Sequence, residues 1–321
     1  MPKTILADTR QFPRFAGVPT FCRYPLLELV PSESLPLDWA IYGVPFDGGV
    51  TYRPGARFGP RAIREASQYV KRYSMFHDVD VCETLSLADA GDAPVQPYSC
   101  KGTSDAVCDF AMKLGDTKHT KLMAVGGDHS IALANIRATY ERQGRPDSGL
   151  ALLHFDSHLD TVDTVWGEKY GHASPFIRAI EDGLINPNRM VSVGVKGPLN
   201  TKTDLDYAQR HGVTIITYDD YIHHAGDETL RNFVTRQDDH PAYVSFDIDV
   251  VDPAFAPGTG TPSVGGFTSA QILDTLRLLK GANVVGADVV EVLPDRDPAG
   301  ITALLAAHVM FEILCLDAIR R

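Results

Sequence analysis

Residues 150–160 read LALLHFDSHLD, and this stretch joins a short apolar run to a series of polar side chains. The apolar part, 150–153, has the length and composition of a buried strand. In the extended segment that follows, Asp156, His158 and Asp160 alternate, so the two-residue period of a strand turns their side chains to the same side. The stretch therefore predicts a buried strand that ends in three side chains able to bind a metal ion.

Two further stretches have the same organisation. Residues 122–130 read LMAVGGDHS and residues 243–249 read YVSFDID, so each passes from an apolar run into acidic or imidazole side chains. The carboxyl ends of parallel strands meet at one edge of a sheet, which is also where ligands bind in open α/β folds. We therefore expect His129, Asp247 and Asp249 to lie on the same edge as the first group.

The chain as a whole alternates between short apolar, β-branched runs and amphipathic helical patterns. This alternation predicts an α/β fold, with a parallel sheet of eight strands and helices on both of its faces. The predicted strands are 38–44, 85–90, 121–125, 149–155, 189–195, 213–217, 242–248 and 283–290. The predicted helices are 60–71, 104–114, 129–143, 174–183, 203–211, 227–236, 268–279 and 299–319.

Residues 1–37 are rich in proline and show little periodicity. We interpret them as an irregular arm that packs on the body of the protein or on a neighbouring subunit. A length of 321 residues is compatible with one large α/β domain, so we expect 1–321 to be a single domain with this arm.

The composition is that of a soluble globular protein, with 44% hydrophobic and 22% charged residues. The formal charge of −11 argues against nucleic acid or an anionic membrane as a partner and favours cationic small molecules. The five cysteines are scattered, without the two-residue spacing of a zinc or redox motif. With no signal-peptide pattern at the N-terminus, we expect a reduced, cytoplasmic location.

The side chains at the predicted sheet edge comprise four carboxylates and two imidazoles. Carboxylates gathered at the end of a buried strand repel each other unless cations neutralise them. The set is large enough for two divalent ions with shared aspartates, and its oxygen-rich character suits Mn²⁺, with Ni²⁺, Co²⁺ and Zn²⁺ as alternatives. The candidate metal ligands are His129, Asp156, His158, Asp160, Asp247 and Asp249.

Each stretch also has a simpler interpretation. The segment 126–130 could be a turn in which Asp128 or Ser130 caps a helix. The segment 156–160 could be a mononuclear site or a surface loop, and 247–249 could end a strand in a polar turn. All three simpler interpretations would have to be correct at the same time, although each segment follows a predicted strand at the same edge of the sheet.

At these residues the chain resembles the ureohydrolase family, which includes agmatinase, guanidinobutyrase, proclavaminate amidinohydrolase and, more distantly, arginase. The resemblance covers nearly the whole chain and is closest to the agmatinase-like branch. Besides the three stretches above, it is carried by PRFAG at 13–17, GVPFDGGV at 43–50, RPGARFGPR at 53–61 and DPAFAPGTGTP at 252–262.

The resemblance implies a three-layer α/β/α sandwich around a parallel eight-stranded sheet, and homotrimers or homohexamers. It implies that one metal ion is bound by His129, Asp156, Asp160 and Asp247. The other would be bound by Asp156, His158, Asp247 and Asp249, so that Asp156 and Asp247 bridge the two ions. The implied activity is cleavage of a small guanidino compound, such as agmatine or 4-guanidinobutyrate, to urea and an amine.

Two further residues match catalytic positions of the family. His172, in HASPF at 172–176, matches a histidine that shuttles protons, and the alternative is an ordinary loop histidine. Ala173 and Ser174 depart from the family's glycine and threonine, which puts the shape of this loop in doubt. Glu291 matches a glutamate that faces the guanidinium, a physically sensible pairing, and the alternative is a buried glutamate satisfied by Arg57 or backbone.

The loop 161–170 lies between the ligands and His172, where a pocket wall is expected. Trp166 could cover an apolar linker of the substrate. Asp163 or Glu168 could receive a terminal ammonium, and Lys169 could pair with a carboxylate, although solvated loop charges are the simpler interpretation. The unusual segment 293–297 keeps open a different substrate, namely guanidine, guanylurea or a biguanide.

Two other classes of protein remain open on the sequence. One is a deacetylase of the arginase-like fold with a single zinc ion, which the second Asp-x-Asp pair and His129 disfavour. The other is an inactive subunit that regulates an active paralogue in a mixed oligomer. Phosphate-binding motifs do not compete, because the glycine-rich stretch 258–260 lacks the required lysine and helix.

Overall fold

A computed structural model describes residues 3–321 of the chain. Its central sheet has eight strands, and every neighbouring pair of strands is parallel. The prediction of a parallel eight-stranded α/β fold is confirmed, with small shifts in the strand ends. The strands are β1 Trp39–Val44, β4 Leu87–Asp92, β5 Lys121–Gly126, β6 Leu150–Phe155, β7 Ile185–Val195, β8 Thr214–Thr217, β9 Pro241–Asp247 and β10 Asn283–Val290. Across the sheet they lie in the order β4-β1-β5-β10-β9-β6-β7-β8.

Helices cover both faces of this sheet, which gives three layers. The helices are α1 Gly59–Ala66, α2 Val81–Thr84, α3 Cys100–Ala111, α4 Ala132–Arg142, α5 Pro175–Glu181, α6 Asp206–Arg210, α7 Tyr218–His223, α8 Gly226–Gln237, α9 Ser269–Arg277 and α10 Ile301–Ala318. Apolar residues of α1, α8, α9 and α10 share a core with one face of the sheet, and those of α3, α4 and α5 pack on the opposite face. Because both faces are buried, the central strands are largely apolar, and the polar residues within them, such as His154, Ser245 and Asp288, are buried as well.

Helix α10 is long and apolar enough to cross a membrane by length and composition alone. Most of the window that meets this criterion, 72%, is buried inside the protein, however. The helix packs against α1, α9 and β10, and buried residues such as Leu305, Met310 and Leu314 occur on all sides of it. It is therefore accounted for as a core helix.

The structure adds a small antiparallel hairpin that the sequence patterns did not predict. It consists of β2 Tyr73–Ser74 and β3 Val79–Asp80, and helices α2 and α7 are also additional. Strands of two residues are too short to show a hydrophobic period. Long-range contacts hold the hairpin instead, since His77 Nε2 lies 2.9 Å from Glu312 Oε2 on α10.

The described part of the arm, residues 3–37, forms three short 3₁₀ turns at Phe21–Arg23, Leu27–Leu29 and Ser32–Ser34. The Thr4 hydroxyl donates to the Leu85 carbonyl, and the Phe21 N–H donates to Asp89 at 2.9 Å. Phe21 is fully buried. The arm therefore packs on the body of its own chain at Thr4 and at residues 20–22, whereas residues 7–13 and 15–19 are exposed.

Candidate metal centre and catalytic pocket

Four neighbouring strands deliver polar side chains to one edge of the sheet. In the sheet order, β5, β10, β9 and β6 lie side by side. His129 follows β5, Glu291 follows β10, Asp247 ends β9, and Asp156 follows β6. Parallel strands place their carboxyl ends together, so segments far apart in the sequence meet here.

The imidazole of His129 is the centre of the first group. Its Nδ1 atom lies 3.1 Å from Asp156 Oδ2, 2.9 Å from Asp160 Oδ2 and 3.3 Å from Asp247 Oδ2. The side chain is buried, and this nitrogen has no hydrogen-bond partner within the described residues. One nitrogen and three carboxylate oxygens that converge in this way are a suitable donor set for a divalent cation.

A second group adjoins the first and shares Asp156 with it. His158 Nδ1 lies 3.3 Å from Asp156 Oδ1 and 3.1 Å from Asp249 Oδ2. The two oxygens of Asp156 thus face different histidines, which is the arrangement that a bridging carboxylate requires. All six predicted ligand residues are therefore brought together by the fold.

The electrostatics of the cluster favour a bound cation. Burial raises the pKa of Asp247 well above its ordinary value, and the charges of Asp249 and Asp156 raise it further. Burial opposes a charged His129, yet contacts with Asp156, Asp160 and Asp247 raise the pKa of its imidazole well above the ordinary value. Carboxylates so arranged demand positive charge, which the divalent ions of a metal centre would provide.

The simple cap interpretation of 126–130 is correct for one residue only. Asp128 accepts a hydrogen bond from the Ser130 N–H at 3.0 Å and therefore caps the turn after β5. His129 points into the cluster instead. The cap fixes the backbone that presents His129, so the two interpretations are complementary.

His154 is a residue of the cluster that the sequence analysis did not assign. It is fully buried, and its Nε2 lies 3.0 Å from Asp156 Oδ2, while its Nδ1 lies 3.0 Å from Ser192 Oγ. Its two-residue spacing from Asp156 was a signal that could have found it, because both side chains point to the same face of the strand. With His129 and Asp156 it forms a further group with metal-binding geometry.

A buried polar chain supports His129 from behind. Its Nε2 lies 2.9 Å from Ser245 Oγ, and the Ser245 hydroxyl donates to Asp288 Oδ1 at 2.7 Å. Tyr243 donates to the other Asp288 oxygen at 2.7 Å. With Nε2 as the donor to Ser245, Nδ1 of the neutral ring carries a free lone pair toward the three carboxylates.

Removal of this support should weaken metal binding. We expect Ser245→Ala to lower the metal affinity by about 10- to 100-fold, the range typical for partners that orient metal-binding histidines. The measurement is the competition of a fluorescent chelator for Mn²⁺. Ser192→Ala, which removes the corresponding partner of His154, is the matched comparison. If Ser245→Ala bound Mn²⁺ as tightly as the unmodified protein, the buried polar chain would not orient His129.

His172 and Glu291 form a buried pair beside the cluster. The Nδ1 atom of His172 lies 2.8 Å from Glu291 Oε1, which also accepts from the His129 N–H at 2.9 Å. Glu291 Oε2 is buried and has no partner among residues 3–321. Arg57 does not satisfy it, because the Arg57 guanidinium pairs with Asp47. One oxygen of this buried carboxylate therefore has no hydrogen-bond partner among the described residues.

The other face of His172 contacts Thr51. The Thr51 N–H donates to Nε2 at 2.9 Å, and the Thr51 hydroxyl lies 2.7 Å from the same nitrogen. Burial opposes the charged imidazolium, but Glu291 outweighs it and raises the pKa of His172 to about 9. A protonated Nε2 cannot accept from the Thr51 N–H, so the imidazolium would donate its Nε2–H to the Thr51 hydroxyl or to a group in the pocket.

The altered residues of the His172 loop have separate positions. Ala173 lines the pocket together with His172. Ser174 is buried and precedes α5, and its hydroxyl has no hydrogen-bond partner in the described range. The substitution of a glycine by Ala173 therefore places a methyl group on the pocket wall.

The predicted substrate-contacting charges of the 161–170 loop lie outside this pocket. Asp163 pairs with Arg178, and Glu168 accepts from the Tyr170 N–H at 2.8 Å. Neither carboxylate lines the pocket beside the cluster, and neither does Lys169. Trp166 is 84% exposed at a tight turn that borders a smaller neighbouring cavity. These positions favour the alternative of solvated loop charges over a role for Asp163 or Glu168 as an ammonium receptor.

The fold and the cluster together define a class of protein: a parallel α/β protein with a candidate metal-binding centre at the carboxyl edge of its sheet. Comparison with protein families gives the particular group. Residues 37–316 match the family model described as the arginase family, and the chain belongs to this family.

Several relatives cover nearly the whole chain. Guanidinopropionase of Pseudomonas aeruginosa is 40% identical over 97% of this chain and 95% of its own length. Proclavaminate amidinohydrolase of Streptomyces clavuligerus is 38% identical over 96% of this chain and 95% of its own. The solved structure of the latter enzyme has a TM-score of 0.87 and covers 96% of this chain and 100% of that chain.

Proposed function

We propose that this protein hydrolyses a small guanidino compound to urea and an amine at a centre of two divalent metal ions. The observation that carries the proposal is the convergence of three carboxylates on His129, with Asp156 shared between His129 and His158. The names of the relatives support the guanidino group as the reacting part of the substrate. The chain would act as a single ureohydrolase domain over residues 1–321.

One ion would be held by His129, Asp156, Asp160 and Asp247, and the other by Asp156, His158, Asp247 and Asp249. Mn²⁺ fits the oxygen-rich donor set best, and a solved relative of the same fold is described with Mn²⁺. Ni²⁺ is the second candidate. When bound, two such ions lower the pKa of water so that a nucleophile is available at neutral pH.

The protein's own residues would position the substrate and move the proton. The free Oε2 of Glu291 accepts N–H groups of the guanidinium, and this charge-assisted pairing fixes the plane of the group. His172, with its raised pKa, is protonated at neutral pH and donates from Nε2 to the nitrogen that leaves. The buried setting of both residues keeps bulk water from competing with these contacts.

The two alternative classes are less well supported. A deacetylase with one zinc ion would not need the second group formed by His158 and Asp249. An inactive subunit would be expected to lack part of the site, whereas all six ligand residues and the His172–Glu291 pair lie together here. We further propose a cytoplasmic homo-oligomer, a trimer or a hexamer.

Metal removal and urea release test the proposed function. We expect protein dialysed against a chelator to produce no urea, and protein reloaded with Mn²⁺ or Ni²⁺ to release urea from at least one guanidino compound. The panel contains agmatine, 4-guanidinobutyrate, 3-guanidinopropionate, arginine, guanidine, guanylurea and a biguanide. If protein with two ions bound released no urea from any compound of this panel, the proposed activity would be contradicted.

A further inference from the structure

A cavity of about 390 Å³ opens beside the metal cluster. At one end it is lined by His158, Asp160 and Asp247 of the cluster and by His172. Much of the remaining wall is apolar and includes Val162, Leu199 and Leu205. A guanidinium placed against the cluster would leave most of this volume for the rest of the substrate, which we call its tail.

The cavity wall has several carboxylates and lacks lysine and arginine among the described residues. Apart from the cluster residues and His172, Asp204 is the only charged residue among the described residues that line the cavity. Its carboxylate accepts from the backbone N–H groups of Asn200 at 2.9 Å and Thr201 at 3.2 Å. Within the described range 3–321, none of the lining residues is lysine or arginine.

Two basic residues near the cavity, Arg178 and Lys196, are paired elsewhere. Arg178 contacts Asp163 and lies 3.3 Å from Glu181. Lys196 donates to the Ser157 hydroxyl and, at 2.7 Å, to the Asp249 carbonyl. Neither of these cations lines the cavity.

Two hydroxyl groups on the wall are also occupied. Thr51 Oγ1 lies 2.7 Å from His172 Nε2, and Thr261 Oγ1 donates to Asp249 Oδ2 at 3.2 Å. A carboxylate at the end of the tail would therefore meet no lysine or arginine among the lining residues of the described range, and it would face Asp204. Burial of a charge without a partner is strongly unfavourable.

We propose that the tail of the natural substrate is apolar and carries no carboxylate, and that a terminal ammonium is tolerated beside Asp204. This inference rests on the proposed function, because it assumes that the guanidinium lies at the metal cluster. In this respect the protein would differ from the relatives named guanidinopropionase and guanidinobutyrase, because those names denote guanidino acids as substrates.

The experiment compares three compounds that have the same guanidinobutyl frame and different ends. These are n-butylguanidine, agmatine and 4-guanidinobutyrate, assayed for urea release by the Mn²⁺-loaded protein. We expect kcat/KM for 4-guanidinobutyrate to be at least about 100-fold below that for n-butylguanidine, as expected when an unpaired charge is moved out of water. Calorimetric titration of the His172→Asn protein with the same compounds should give the same order of affinity.

A cation added to the wall should reverse the preference. We expect Leu205→Arg to raise the ratio of kcat/KM for 4-guanidinobutyrate over n-butylguanidine by at least about tenfold, since it supplies the missing counter-charge. Leu205→Gln, which is polar but uncharged, is the matched control and should leave this ratio within about threefold of the unmodified protein. Ratios between substrates are insensitive to the fraction of folded protein.

The outcomes separate the two proposals. If 4-guanidinobutyrate is turned over as well as or better than n-butylguanidine, the inference about the tail is overturned while the hydrolase assignment stands. The same holds if only guanidine without a tail is a substrate. If none of the compounds releases urea although two ions are bound, the proposed function fails, and the inference fails with it.

Discussion

Urea release falls by at least about 10³-fold in Asp156→Asn, because a bimetal centre supplies several kcal/mol of transition-state stabilisation and each 1.4 kcal/mol is a factor of ten in rate. Asp156 is the residue shared by both halves of the cluster, with one oxygen 3.1 Å from His129 Nδ1 and the other 3.3 Å from His158 Nδ1. Asparagine keeps the shape and can still accept the His158 N–H, but it lacks the charge that both ions need. The measurements are kcat/KM and the number of ions bound per chain.

Asp252→Asn is the matched control for this variant. Asp252 lies in the same segment as the cluster residue Asp249, yet its carboxylate accepts only backbone N–H groups of Ala254, Gly265 and Gly266. We expect it to retain two ions and to stay within about threefold of the original rate, as do most substitutions away from a site. An Asp156→Asn protein that bound two ions and kept its rate would contradict the assignment of Asp156 as a bridge.

His172→Asn lowers kcat by about 10²- to 10⁴-fold while both ions remain bound, which is the usual contribution of a general acid. His172 lies beside the metal cluster and outside it, since its ring nitrogens contact Glu291 and Thr51, and its proposed role is proton transfer. The pKa of His172 is raised to about 9, so the proton that it must donate is present below this pH and is lost as the pH rises through it. The unmodified protein should therefore lose activity on an alkaline limb near pH 9, and the variant should lack this limb.

Glu291→Gln tests the cause of this limb. Burial lowers the pKa of His172, and the Glu291 carboxylate overcomes that effect. Loss of the carboxylate charge should move the alkaline limb to lower pH and should also raise KM, because the guanidinium loses its counter-charge. If His172→Asn and Glu291→Gln both kept the alkaline limb of the unmodified protein, another group would supply the proton.

The sequence was sufficient to predict the layers of the fold and the position of the cluster. The central strands are largely apolar because both faces are buried, and segments such as 150–160 pass from such a strand into polar residues. The rule that parallel strands share a carboxyl edge then places His129 and Asp247 beside Asp156 without knowledge of any distance.

What could not be predicted depends on contacts between distant segments. The Ser245–Asp288 pair behind His129 joins β9 to β10, and neither residue has a local pattern that indicates a partner. The pairing of Asp163 with Arg178 also depends on the path of the loop, and it gives Asp163 a partner other than the ammonium of a substrate. In both cases a side chain's role is set by its partner, which sequence spacing does not reveal.

The most direct test of the two-metal account is urea release measured against the number of Mn²⁺ ions bound per chain, with both quantities determined on the same samples. The account predicts little activity at one ion per chain and full activity at two, because Asp156 and Asp247 are shared between the two positions. Full activity at one bound ion, or urea release by protein that contains none, would contradict it.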